Sequence, residues 1–436
     1  MALMSKSNAR RAIIVLGGFV LLLAIFYAEE DWRGKRAWQH CKRELEAGGA
    51  VLDWDKFIPP PVPDDQNFFE APNMAEWFVK NRKASTNELA ARLGNKDTTA
   101  KITDETAARK YLAWSDQFEP DFDLIREALK RPYAWMDGDY SDPVGIPIPN
   151  FVNVRIVAQT LAQRAQCYLL LGLPGKALSE VTLLHDLRRL LEGAPTGKPM
   201  TMVAAMINVA VAGLYTDTIA DGMRLKAWNE SQLSALQKQL EEINLPPFVA
   251  EALHEEQANS CRIIEIYALK NKNHSQFSYW PRGWFYQNIA YVAVLEQKGI
   301  DSFDPAKDSI VPHIVDGTNH EIETKLRRFS PYKFFAAILI PNFSKAMQTA
   351  MHNQTLVNEA RIACALERCR LSYGNYPATL DVLSPEFIEK LPHDLIGGQP
   401  LIYRRTGDGK FLLYSVGWNE KDDGGIGNDW VWGVTR

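Results

Sequence analysis

The chain has 436 residues, 46% of them hydrophobic and 23% charged. That apolar content can bury a sizeable core, which excludes wholesale disorder, and the length is that of two to three domains. With 49 Lys and Arg against 53 Asp and Glu, the formal net charge is −4; this argues against a dedicated nucleic-acid binder, which needs a basic surface. Five cysteines are sparse and odd in number, so they imply no disulfide framework.

Residues 12–28 read AIIVLGGFVLLLAIFYA, a run of 17 without a charge. That is the low end for a membrane-spanning helix. Lys6, Arg10 and Arg11 precede it, and a short basic tail of this kind stays in the cytoplasm and sends the rest of the chain outward. Arg33, Lys35 and Arg36 on the far side pull the other way, although Glu29, Glu30 and Asp31 come first. The rival is a cleaved signal peptide. Cleavage after Ala28 puts Phe26 at the −3 position, where a small residue is needed. The expectation is therefore an uncleaved signal-anchor over residues 1–28. It would be a single pass in the cytoplasmic membrane, touching the lipid through residues 12–28, with the bulk of the chain extracytoplasmic.

Residues 29–72 read as a helical stalk and a spacer. Residues 29–49 look helical, with Trp32, Trp38 and His40 among mixed charges, and Phe57-Ile-Pro-Pro-Pro-Val-Pro63 follows. Consecutive prolines favour a stiff polyproline segment, which either lifts the next domain off the membrane or packs on it as a loop.

Residues 73–330 read as an α-helical domain, with Asn73 and Thr103 as caps and a turn-rich stretch from Met136 to Pro149. Ala165, Tyr168, Gly172, Ala177, Val181 and Leu184 have the spacing of one tetratricopeptide-type hairpin. No second copy follows at the 34-residue period, so a generic α-hairpin is the safer reading. Met200–Ala227 is a strongly apolar helix. Asn229 then caps a helix to Ile243, with Gln232 placed for a capping box, and Pro247 opens another through about Leu269. Phe277, Tyr279, Trp280, Trp284, Phe285, Tyr286 and Tyr291 crowd one short stretch. Core is the default reading; a membrane interface and a groove lining are the others.

Motifs with a known chemistry fail on inspection. His254-Glu255 heads HEEQA, which lacks the second His of a zinc protease, and Glu251 with His254 supplies two ligands at most. Gly193–Lys198 mimics a phosphate loop one residue short, with Pro199 where Ser or Thr should hold magnesium. Asp137, Asp139 and Asp142 lack the glycine and the final glutamate of a calcium-binding EF-hand. Ser415 in LYSVG lacks the first glycine of a nucleophile elbow. The eight histidines are scattered, and Cys364 and Cys369 read as buried, inert thiols.

The last quarter, residues 331–436, carries an ordered set of features. Phe343, Met347, Ala350, Val357, Ala360, Cys364 and Leu371 make one apolar helix face up to about Ser372, where Gly374 and Pro377 stop the helix. A short helix fits Pro377–Leu383. A hairpin fits Leu401–Arg404 with Phe411–Ser415 about Gly407-Asp-Gly409, and an acidic, glycine-rich loop closes the chain.

Ile340-Pro-Asn-Phe343, Ala365-Leu-Glu367, Tyr373-Gly-Asn-Tyr-Pro377, Tyr414-Ser-Val-Gly417 and Asp429…Trp432, in this order, resemble type IV pilin-like proteins, most closely the major pseudopilin of type II secretion. The resemblance covers only this quarter. It implies an α+β module of a long helix and a small antiparallel sheet, whose last loop holds a calcium ion at places occupied here by Asn419 and Asp429. The pilin processing site is missing and the apolar run Phe334–Ile340 is too short to span a bilayer. The module thus reads as grafted behind a soluble helical domain.

Calcium also has a chemical argument. It takes six to eight oxygens on a flexible loop. Glu420, Asp422, Asp423 and Asp429 supply acids, and Gly424, Gly425 and Gly427 permit tight turns. The candidate ligands are Asn419, Asp422, Asp423 and Asp429, and the alternative is a loop closed by its own side chain–backbone hydrogen bonds. Taken together, the fold expected is mainly α: a transmembrane helix, a helical-hairpin domain and a pilin-like module. The function expected is a scaffold or binding protein of a bacterial envelope, with protein partners there and no nucleic acid. The alternatives are an accessory component of a type II secretion or pilus-like apparatus, and an enzyme with an unrecognised site in the helical domain.

Overall fold

The computed structural model describes residues 6–79, 88–94, 102–192, 201–270, 277–302, 309–340 and 342–433. The phosphate-loop mimic at 193–199, His274 and Pro341 lie outside the described residues. The chain is mainly helical, with a long apolar helix first and a small antiparallel sheet near the end.

The first helix, α1 (Lys6–Ala47), runs through the apolar segment and on into the body without interruption. Large side chains from Ile13 to Phe26 are exposed on every side of it. Beyond α1 the chain stays on the body: Trp54 and Phe57 are buried with Tyr140 and Ile146, and Pro59 is buried beside them. β1 (Phe78–Val79) pairs antiparallel with β2 (Ile148–Pro149), and between them lie α2 (Glu88–Gly94), α3 (Glu105–Ser115) and α4 (Glu119–Ala128). Asn73 sits in a turn at φ 66° and caps nothing. The cap of α3 is Asp104 rather than Thr103; its carboxylate accepts the Ala107 N–H at 2.9 Å and sits at the positive end of the helix dipole.

α5 (Phe151–Leu170) and α6 (Pro174–Arg188) form the expected hairpin about Gly172. At φ 68° that position favours a residue with no Cβ. Ala165, Ala177, Val181 and Leu184 are fully buried between the two helices. The apolar helix is α7 (Met202–Arg224), capped by Thr201. It is long and apolar enough to cross a membrane, yet more than half of its most apolar window is buried against the rest of the body. α8 (Glu230–Glu241) starts with the capping box: the Gln232 N–H donates to Asn229 Oδ1 and the Asn229 N–H to Gln232 Oε1, both at 3.0 Å. α9 (Leu245–Ile264) has Pro246 and Pro247 in its first turn, where missing N–H groups cost nothing, and passes into a wider turn over Glu265–Lys270.

α10 (Arg282–Asp301) runs beside α1. α11 (Pro312–Leu326) and the short α12 (Ala336–Leu339) lead into α13 (Phe343–Tyr373), which packs on α7, α8 and α9. Asn342 caps α13, and Gly374 ends it in the left-handed conformation. The short helix expected over Pro377–Leu383 is a four-residue 3-10 helix at Leu380–Leu383. β3 (Ile402–Arg405) and β4 (Phe411–Ser415) form the expected hairpin, and β5 (Trp430–Val431) joins β4 as a third strand.

One apolar core runs from Phe68 to Trp430 and is continuous across residue 330. Phe343, Met347 and Ala350 of α13 share it with Leu236 of α8 and Val249 of α9. A second cluster joins Trp38 and Cys41 of α1 to Phe285, Ile289 and Val292 of α10.

Candidate functional site

The acidic C-terminal loop brings the four sequence candidates together. Asp429 is fully buried, and its carboxylate accepts the Asp423 N–H at 3.1 and 3.2 Å and the Gly425 N–H at 2.7 Å. Asp422 Oδ1 accepts the Tyr414 hydroxyl at 2.9 Å and the Gly424 N–H at 2.8 Å. Asp423 Oδ2 accepts the Asn419 amide at 3.2 Å and the Asn428 N–H at 3.3 Å. Glu420 turns outward to His313 of α11, 2.8 Å away. These carboxylates therefore face N–H and O–H donors, which are the wrong partners for a cation. A calcium ion would have to displace the donors or use the oxygen lone pairs they leave. Among the described residues, no group of three or more His, Cys, Asp or Glu is placed to hold a metal.

The strands that carry this loop are tied down by a second acid. Asp394 is 2% exposed and accepts Ser415 Oγ at 2.8 Å, the Ile396 N–H at 2.9 Å and the Val416 N–H at 3.3 Å. Glu359 of α13 is fully buried nearby. Burial first, and then the Asp394 carboxyl, push Glu359 well above the usual carboxylate range, with the Ser415 N–H opposing.

The base of α1 holds a network that joins it to the body. Glu30 is 3% exposed and accepts Trp284 Nε1–H at 3.1 Å and the Tyr332 hydroxyl at 3.2 Å, while Arg33 pairs closely with the same carboxylate. Asp31 accepts the Gly283 N–H at 2.8 Å. A Cβ on Gly34 would fall on the Gly283 backbone, and one on Gly283 would fall on the Glu30 carbonyl, so the two glycines are what lets the helices touch. Asn288 donates to the Pro331 carbonyl at 2.6 Å and accepts the Phe335 N–H at 2.8 Å, which clamps the 331–335 segment onto α10. Phe277, Trp280, Phe334 and Phe335 pack edge to face between them.

Two clefts of the body can be described by their lining. One of about 250 Å³ lies between the start of α9 and the 390–395 loop. There Gln354 accepts the Leu245 N–H at 2.7 Å and donates to the Ile243 carbonyl at 3.2 Å, and Arg361 faces Glu241 at 3.7 Å. Another of about 470 Å³, between α5 and α7, is apolar apart from Arg155 and Gln159. Arg164, 1% exposed, is fully engaged by Ser115, Asp116, Glu119, Tyr168 and Glu180, and braces α3 and α4 against the hairpin. Asp139 and Asp142 accept the backbone N–H two residues on, as turn residues do. All five cysteines are buried free thiols, and burial pushes Cys41 up to about 11 and Cys167 to about 12.

No family model, curated protein or solved structure matches the chain. Sequence reasoning missed the Glu30–Arg33–Trp284–Tyr332 network, because Trp284 and Tyr332 lie some 250 to 300 residues from Glu30. The legible signal was the aromatic crowd at 277–291; Phe329, Tyr332, Phe334 and Phe335 repeat it further on.

Proposed function

We propose that this chain is a single-anchor, non-enzymatic scaffold or binding protein of a bacterial envelope, with its body on the outer face of the cytoplasmic membrane. One observation carries the reading. A single helix has residues 13–26 exposed and apolar all round, and Glu30, Gly34, Trp38 and Cys41 buried against the body. Exposed apolar side chains on every face suit lipid and not water. The buried stretch that follows makes the anchor a rigid extension of the body.

The pilin-like quarter supports a scaffold rather than a fibre subunit. In a fibre the long helix packs against neighbouring subunits. Here Met347, Ala350, Val357 and Ala360 of α13 are buried under α7, α8 and α9 of the same chain. The hydrogen bonds that close the acidic loop support a loop that orders without a metal.

Topology tests the reading. The full chain is produced in a bacterium, spheroplasts are prepared, and protease is added outside. The body should be degraded while a cytoplasmic marker survives. A body that is protected until the cells are lysed contradicts the outward orientation.

A further inference from the structure

The last residues of the apolar segment already touch the body. The Tyr27 hydroxyl donates to the Tyr279 carbonyl, and the Phe26 ring meets Trp284 edge-on with centroids 6.4 Å apart. A helix rises about 1.5 Å per residue, so less than one turn of α1 separates the end of the apolar run at Ala28 from these contacts. With residues 12–28 in hydrocarbon, the Tyr279–Trp284 turn stands at the level of the lipid headgroups.

The side chains at that level are those a bilayer surface accepts. Tyr279 is 84% exposed and Phe329 79%. Trp32 on α1 is also exposed. Phe329 belongs to an aromatic wall that ends beside Tyr279: Phe329 packs on Phe334 at 6.3 Å, Phe334 on Trp280 at 5.7 Å, and Trp280, next to Tyr279 in sequence, on Trp284 at 5.3 Å. Arg282, Arg327 and Arg328 are exposed next to them in sequence. Amphipathic rings settle at the headgroup layer, guanidinium groups pair with phosphate, and basic residues are drawn to an anionic surface.

We propose that this face is a membrane-docking surface for a bilayer rich in anionic phospholipid. Tyr279, Phe329 and Trp32 seat among the headgroups, and Arg282, Arg327 and Arg328 meet the lipid phosphates. The body is then held flush and in one orientation, not swung on a tether. The proposal rests on reading residues 12–28 as a membrane span.

The test uses the full chain reconstituted in bilayers with and without phosphatidylglycerol. Single cysteines carry a bimane label at Tyr279→Cys, Phe329→Cys, Leu22→Cys and Lys238→Cys. The native thiols are buried, and Lys238 lies on α8, which packs on α6 and α13. A headgroup-attached quencher should act on positions 279 and 329 several-fold more strongly than on 238, and an acyl-chain quencher should act on 22. Arg327→Glu with Arg328→Glu should reduce quenching at 279 in the anionic bilayer. Quenching at 22 with none at 279 or 329 beyond that at 238 overturns the docking surface and leaves the span intact. Equal quenching at 279 and 329 in both bilayers overturns the anionic preference. No quenching at 22 overturns the span, and the docking surface with it.

Discussion

Glu359 is a residue whose charge state is coupled to the fold. It is fully buried beside Asp394, and its folded pKa lies well above the usual value. The folded chain therefore keeps a proton that the unfolded chain releases above about pH 4.3. The contribution of this group to stability is fully present below that pH and is lost as pH rises towards the folded pKa. Glu359→Gln removes the ionisation. As pH rises from about 4 towards the folded pKa, the melting temperature of the wild type should fall relative to that of the variant. Parallel curves would show that the buried carboxyl is not linked to folding.

Asp429 makes the opposite kind of contribution, as an acceptor. Replacing it with alanine leaves the N–H groups of Asp423 and Gly425 without their partner, at a cost of about 1–3 kcal/mol. If those donors close the loop, the wild-type chain melts at the same temperature in millimolar calcium and in chelator. A clear rise with calcium would mean that Asn419, Asp422, Asp423 and Asp429 rearrange around the ion.

Among the elements, the α1–α10 contact decides how the anchor transmits to the body. Gly283→Val drives a side chain into the Glu30 carbonyl and should lift α1 away. Limited proteolysis between residues 29 and 47 should then speed up by about tenfold, the change that ~1.4 kcal/mol of lost local protection gives. Unchanged cleavage would show that the Glu30 network alone holds the helix.

Local signals in the sequence carried the elements whose ends are set locally. Asn229 with Gln232, Gly172, Gly374 and the Gly407–Gly409 turn each act within a few residues, and each is where expected. Tertiary features were not legible in the same way. A helix over residues 29–49 was legible, but not that Glu30 and Asp31 find Trp284, Tyr332 and Gly283 from distant parts of the chain. The acidic loop was legible as a cluster but not in its bonding. Spacing places four polar residues together without saying whether amide donors or a cation will satisfy them.

For the whole molecule, the uneven distribution of apolar side chains says more than the net charge of −4. One core takes in the helical region and the C-terminal quarter, and a separate apolar run stands uncovered on a helix whose later turns pack with α10 in a second cluster. The central claim is that this run stays in the chain and holds it in a membrane. Intact mass after an alkaline carbonate wash of the membranes tests it most directly. The account predicts full-length protein, residues 1–28 included, in the washed pellet. A soluble species that begins near residue 29 would contradict it.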